Sequence, residues 1–378
     1  MGKKPTLTVV LAEILRPEAN SFGVVRLAMA LAVLVSHSYF FVSGRSSAEP
    51  LVSLSGHSLG EHAVQVFFFL SGILVTQSYF KSGSIIDFAC ARALRIFPGL
   101  AVCVLLTALL LVPLVSAIGP TAYFADPVLA RYIAQTLLLT TGAAPLPGAF
   151  LDLPASGLVN MSLWTLKYEV TCYAALGLIC ATGVLTARHK FIGIAAVALL
   201  VAGVFLKQPM LAQDYTPLDN LRYFTLYFST GVLAFLIKDW LVISAIPLLA
   251  LTALFAVSID TRFCELSCAL TLGYATLYVA NVDFGSLRRW THEHDLSFGV
   301  YIYAAPIQQT ILHLHPNLRP LELAVIATLC ALAVARFSWG WIEKPALAAR
   351  RPLTLEIRAG LGWPKPESWR TGLSRIGY

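Results

Sequence analysis

The apolar segment that opens Phe22-Gly-Val-Val-Arg26 and runs to His37 carries two ionisable side chains eleven positions apart. At 100° per residue, that spacing ends about 20° past three full turns. On a helix Arg26 and His37 therefore share one face, about 16 Å apart along the axis. An imidazole, with an ordinary pKa of about 6.5, can take a proton from a hydroxyl near neutral pH. A carboxylate comes later, in Ser162-Leu-Trp164-Thr-Leu-Lys167-Tyr-Glu169, with Tyr173 beyond it. Lys167 is a poor partner for Glu169, because residues two apart on a helix do not face each other. Glu169 and His37 stand at comparable depths in their segments. A carboxylate that orients an imidazole is a general-base arrangement, so the two are expected to meet. The bland alternatives are an interfacial anchor for Arg26, a hydrogen-bonded buried imidazole for His37, and an unrelated cation or backbone partner for Glu169.

Arg92 and Arg95 lie three apart, between Phe88 and Pro98. On a helix they share a side, and two guanidinium groups can grip phosphate bidentately. The competing reading is a positive anchor at the start of a membrane crossing. Ser71-Gly72 follows three consecutive phenylalanines in mid-segment and suits a close helix approach or a kink. Tyr301 and Pro306 put a hydroxyl and a kinking residue inside a further apolar stretch. Ser338-Trp-Gly-Trp-Ile-Glu343-Lys344-Pro345 reads as an interfacial Trp belt with a proline stop. The seven cysteines mostly sit in apolar runs. Only Cys264 and Cys268 lie a helical turn apart, so packing is expected and a metal site is not.

The elements that must position these groups follow from composition. Of 378 residues, 57% are hydrophobic and 12% are charged, against about 25% charged in soluble domains. Mean hydropathy is +0.74. The apolar runs approach the roughly 20 residues that a bilayer crossing takes, and in lipid such runs fold as helices. The expected fold is an all-α integral membrane protein with about ten transmembrane helices in one bundle. Crossings are expected at 22–42, 63–80, 97–118, 161–183, 191–206, 221–237, 241–258, 264–281, 296–313 and 321–340. The apolar stretch 128–141 is short enough to be re-entrant or interfacial. With the N-terminus inside, 18 of the 27 Lys and Arg fall on the cytoplasmic side, from Lys3 and Lys4 to Arg375. Six fall outside, and Arg26, Lys167 and Arg336 lie within spans. That bias puts both termini in the cytoplasm. It also explains the net charge of +7 without nucleic acid. No cleavable signal peptide is expected. Residues 1–345 form the membrane domain, and 346–378 read as a short basic cytoplasmic tail.

Taken in order, these elements resemble the acyltransferase 3 family of bacterial membrane O-acyltransferases, which act on exopolysaccharide, lipopolysaccharide and Nod factor. The resemblance runs from Phe22 to about Pro345. It rests on Arg26 and His37, on Phe67 to Gly72, on the Arg92/Arg95 pair, on Trp164 to Glu169, and on Glu343-Lys344-Pro345. Two places depart from the family pattern. Gly23 and Val24 replace a frequent Asp-Gly, and Ala304 replaces a frequent histidine. The esterase-like C-terminal domain of some members is not expected here. The resemblance implies a multi-pass inner-membrane enzyme. It would move an acyl group, taken to be acetyl, from cytoplasmic acyl-CoA to a hydroxyl of a saccharide or lipid-linked saccharide. No metal is implied. His37 would be base or relay, oriented by Glu169 and accompanied by Arg26. Arg92 and Arg95 would hold the donor. Ser71, Gly72, Trp164 and Tyr301 would contact substrate or shape the site. The rival class, a transporter or flippase for lipid-linked saccharide, explains the basic face but not the His37–Glu169 combination.

Overall fold

The computed structural model describes residues 8–141, 144–185, 190–207 and 216–362. Lys3, Lys4, Arg188, Lys365, Arg370 and Arg375 of the charge count, and the end of the tail from 363, lie outside the described residues. The chain is mostly helical. We number the principal helices α1 Phe22–Ser43, α2 Leu59–Ser82, α3 Ile85–Leu106, α4 Pro127–Leu137, α5 Leu166–Ala181, α6 Lys190–Lys207, α7 Pro217–Leu236, α8 Ala245–Ser258, α9 Cys264–Ala280, α10 Ser286–Glu293, α11 Ser297–Leu314, α12 Pro320–Ser338 and α13 Arg350–Gly360. Among the described residues, the one strand pairing is a two-residue antiparallel match of Val9–Val10 with Val242–Ile243, which holds the N-terminal segment against the start of α8.

Among the described residues, four helical runs are long and apolar enough to cross a membrane: Phe22–Ser43, Leu59–Ser82, Ile85–Val115 and Pro320–Gly360. Phe191–Gly203, Ala245–Ser258 and Cys264–Ala280 are apolar but shorter. The α4 helix, at 11 residues, spans only about 17 Å and cannot cross a hydrocarbon core of about 30 Å.

Three boundaries differ from the sequence expectation. Pro98 does not open a helix. It lies inside α3, which begins a full three turns earlier at Ile85, capped by the Ser84 side chain accepting from Asp87 N. Arg92 and Arg95 are therefore helical and lie ahead of the expected start of the crossing at 97. Residues 161–165 form a 3₁₀ turn, so Glu169 sits in the first turn of α5. Pro345 does not stop the last helix. A π-turn over Trp339–Glu343 lets the Lys344 N–H reach the Trp339 carbonyl, and the chain continues helical to Gly360. That continuation packs on α3. Arg350 donates two hydrogen bonds to Asp87, at 2.9 and 2.5 Å, and Thr354 adds a third at 3.3 Å.

Two packing features set the geometry of the bundle centre. A Cβ at Gly72 on α2 would overlap the Phe228 carbonyl oxygen of α7, and one at Gly231 would overlap that of Phe69, so these two helices touch backbone to backbone. Pro306 in α11 has no N–H and leaves the Ile302 carbonyl without its helical donor. Asn160 Nδ2 at 2.8 Å and Cys103 Sγ at 3.2 Å take that donor's place. The kink is thereby tied both to α3 and to the segment that leads into α5. Gln309 adds bonds to the carbonyls of Ala155 (3.0 Å) and Leu158 (2.8 Å).

Overpacking commonly costs about 1–3 kcal/mol, and backbone against backbone leaves no side chain to yield. Gly72→Ala and Gly231→Ala should each lower the melting temperature in detergent by several degrees and reduce the monodisperse fraction. Gly203→Ala, which meets nothing within 4 Å, should not.

Candidate functional site

Helices α1, α2, α3, α5 and α11 line a cavity that is partly open to solvent. Its apolar wall includes Val64, Phe67, Phe68, Leu74 and Ile96. Its polar lining is Arg26, Ser71, Arg92, Arg95, Thr165, Glu169, Tyr173, Ser297 and Tyr301. Six of the residues singled out by sequence are thus brought together: Arg26, Ser71, Arg92, Arg95, Glu169 and Tyr301.

Ser71 stands mid-way along α2 and donates to Glu169 Oε1 at 3.2 Å. The Tyr173 hydroxyl, one turn further on α5, also donates to that oxygen and lies 3.1 Å from Ser71 Oγ. Arg92 lies over the Tyr173 ring at 5.9 Å. Its buried Nε has no hydrogen-bond partner among the described residues. The Tyr301 hydroxyl is held by Thr165 Oγ1 at 2.6 Å. Thr165 belongs to the 3₁₀ turn that Asn160 introduces, so the Pro306 kink fixes this side of the cavity too.

The two arginines of the expected pair behave differently. Arg95 Nη2 meets Asp295 Oδ2 at 2.7 Å, and its Nη1 meets Glu343 Oε2 at 3.2 Å. Arg26 Nη2 meets the same Asp295 oxygen at 3.1 Å. Ser297 donates to the other Asp295 oxygen at 2.6 Å, and Ser338 donates to Glu343 Oε1 at 2.9 Å. Burial pushes the Asp295 carboxyl up. Arg26, Arg95 and the Ser297 bonds outweigh it and hold the group at about 2. The two arginines of the expected clamp thus differ in their partners. Arg95 is bound into a carboxylate network, and Arg92 carries the unpartnered donor.

The expected meeting of His37 and Glu169 is not found. The Glu169 hydrogen bonds go to Ser71 and Tyr173, because the 3₁₀ turn starts α5 late and aims its first turn at the arginine side. His37 does not line the cavity. Its ring stands edge-on to Phe41 at 5.9 Å, and its buried Nδ1 has no hydrogen-bond partner among the described residues. Trp164 meets Tyr168 edge-on at 5.8 Å and Phe224 at a tilt at 5.5 Å, outside the cavity lining, and Gly72 serves the α2–α7 contact. Ala304 is buried in the helix interface.

Two groups of the network had no site role in the sequence reading. Asp295 stands alone before α11 and offers no local pattern. Glu343 was hidden in what reads as a Trp belt, yet it is 1% exposed. Trp341 alone of that pair of tryptophans faces outward, at 78%, while the Trp339 indole donates to the Glu293 carbonyl at 3.2 Å. At the other end of α2, a second polar cluster joins His57 to Glu265 at 2.6 Å and to Glu61 at 3.8 Å. Tyr227 donates to Glu265 at 3.0 Å, and His62 bridges Gln65 and Ser55, each at 2.8 Å. The Ser58–Glu61 capping box was its visible trace in the sequence. Among the described residues, no group of three or more His, Cys, Asp or Glu is arranged to hold a metal ion.

Residues 20–342 match the model of an acyltransferase domain, the third of that name, over most of the chain. The chain belongs to the acyltransferase 3 family. The family assignment makes it an acyltransferase and sets aside the transporter reading. Among its relatives, an O-acetyl transferase of Shigella phage Sf6 is 29% identical over 343 residues, covering 89% of this chain and 98% of the relative. Nodulation protein 10 of Rhizobium leguminosarum bv. viciae is 27% identical over 367 residues, covering 88% and 95%. No solved structure matches.

Burial pushes the His57 imidazole down, but its hydrogen bonds and charge contacts with Glu265 and Glu61 outweigh that and raise it to about 10. A group raised in the folded state stabilises fully below its ordinary value, and loses that contribution as pH rises through the folded one. The melting temperature in detergent should therefore fall between pH 7 and pH 10. Glu265→Gln should lower it at pH 7 and flatten the fall; an equally steep fall in that variant would contradict the pairing.

Proposed function

We propose that this acyltransferase moves an acetyl group from cytoplasmic acetyl-CoA to a hydroxyl of a cell-surface or lipid-linked saccharide. It would do so as a multi-pass protein of the inner membrane, with about ten crossings and both termini in the cytoplasm. The observation that carries the reading is the Arg92 guanidinium. It is buried with an unpartnered Nε and lies over the ring of Tyr173, whose hydroxyl donates to Glu169. An orphaned buried donor calls for an acceptor. In an acyltransferase, the anionic donor or the oxygen that gains charge during attack on its thioester supplies one. The positive bias of the inner segments supports a cytoplasmic approach of the donor to α3. The acetyl group in the name of the phage relative and the nodulation role in that of the rhizobial one support the acetyl and saccharide parts of the reading.

His37 is the base or relay in this reading. A saccharide hydroxyl gives its proton to His37. Its oxygen attacks the thioester carbonyl, and the CoA thiolate leaves and takes up a proton. Three observations support His37: its unpartnered Nδ1, its place on the Arg26 face of α1, and its level in the bundle. The cavity runs along α2 from Val75 to Val64. Gly60, one turn beyond Val64, packs against Ser36, the neighbour of His37. The far end of the cavity therefore comes within about 6 Å of the axial level of His37.

His37→Ala should abolish O-acetylation of surface glycans, read by mass spectrometry, while the protein still inserts and accumulates; normal acetylation would sink its role. Arg92→Lys keeps the charge but loses the planar donor fork. It should weaken acetyl-CoA affinity at least tenfold, in line with about 1.5–3 kcal/mol for a hydrogen bond to a charged group. Unchanged affinity would leave Arg92 a topological anchor.

A further inference from the structure

Three guanidinium groups border the cavity, and they differ in what already holds them. The carboxylate that decides the difference is Asp295, on the link between α10 and α11. One of its oxygens receives both Arg26 of α1 (3.1 Å) and Arg95 of α3 (2.7 Å), and the other receives Ser297 (2.6 Å). Its acceptor capacity is largely filled. Glu343 takes the remaining Arg95 arm. After this pairing, the buried donors without partners on these arginines are Arg92 Nε and Arg26 Nε.

We infer that Asp295 is a positioning residue of the transfer reaction. It neutralises Arg95, and it fixes Arg26 by one nitrogen. Arg92 and the Arg26 Nε are thereby left as the anion-receiving face of the cavity. This rests on the donor reading above, and it changes which arginines serve the donor: Arg92 with Arg26, and not Arg92 with Arg95. Asp295 itself touches no substrate. It acts by setting where two cations stand and how much positive charge a polyanionic donor meets.

This role separates binding from turnover in a way that simple structural support does not. Asp295→Asn removes one negative charge beside the cavity and releases two guanidinium groups. A polyanionic ligand should then bind as tightly as before or more tightly. Turnover should drop, because Arg26 and Arg95 are no longer held in place. Loss of packing or folding would weaken both together.

The test uses full-length protein in nanodiscs with CoA as an unreactive probe, measured by calorimetry, and the O-acetyl content of surface glycans from cells making equal amounts of each variant. For Asp295→Asn, the expected result is CoA affinity equal to wild type or several-fold tighter, with O-acetyl content at least tenfold lower. Asp295→Glu should recover a measurable part of the acetylation and also covers the case in which the Asn variant does not fold. Affinity and acetylation falling in parallel in a well-folded Asn variant would overturn the inference, as would undiminished acetylation. If wild-type protein binds no CoA, the donor reading fails on its own. The acetylation of Asp295→Asn still decides the role of Asp295, because full activity there excludes it whatever the donor.

Discussion

Burying the Arg95 guanidinium in a bundle with so few charges costs several kcal/mol unless carboxylates meet it with good geometry. Those carboxylates come from 200 and 248 residues away along the chain, as Asp295 and Glu343. The requirement that they converge draws three parts of the fold together: α3, the link into α11, and the π-turn that ends α12. Much else follows from that convergence. The π-turn turns Glu343 inward, and the helix passes Pro345 without stopping. Asp295 also collects Arg26, which places α1 against the same point. Removing one partner would strand a buried charge, a change that typically costs about 3–5 kcal/mol.

The cavity lies beside this ionic point, with Arg26, Arg95 and Ser297 in its lining. The α2–α7 contact through Gly72 and Gly231 holds one wall at backbone distance. The kink at Pro306, secured by Asn160 and Cys103 on the freed Ile302 carbonyl, holds the opposite wall open. Between them stands a short polar chain, Arg92 over Tyr173 and then Glu169 and Ser71, with one unpartnered donor at its end. The polar cluster around His57 and Glu265 ties the N-terminal end of α2 to α9, and Ser71 joins the middle of α2 to α5 through Glu169.

What could be read from the sequence was what depends on local pattern. Helical character, the shared face of Arg26 and His37, and the small-residue contact at Ser71-Gly72 all follow from spacing and side-chain type. The convergence of Arg26, Arg92, Arg95, Glu169, Ser71 and Tyr301 on one cavity was legible only as a set of costly groups that needed partners. Which partners they took was not. Arg92 and Arg95 present the same face in sequence, yet a long-range carboxylate claims one and leaves the other. Glu169 was assigned to His37 because depth was counted from residue 161. The 3₁₀ turn shifts the true helix start and turns the carboxylate toward the arginines. Asp295 carries no local signature, because its role depends wholly on tertiary contacts.

The central claim is that the acyl donor reacts inside the arginine-lined cavity. The most direct measurement is a cryo-electron microscopy structure of the protein in nanodiscs with a non-transferable thioether analogue of acetyl-CoA. The account predicts that the thioether end lies in the cavity between Arg92 and Glu169, with Arg95 still bridging Asp295 and Glu343. An analogue bound at another site with the cavity empty, or one that enters only after Arg95 has left both carboxylates, would contradict it.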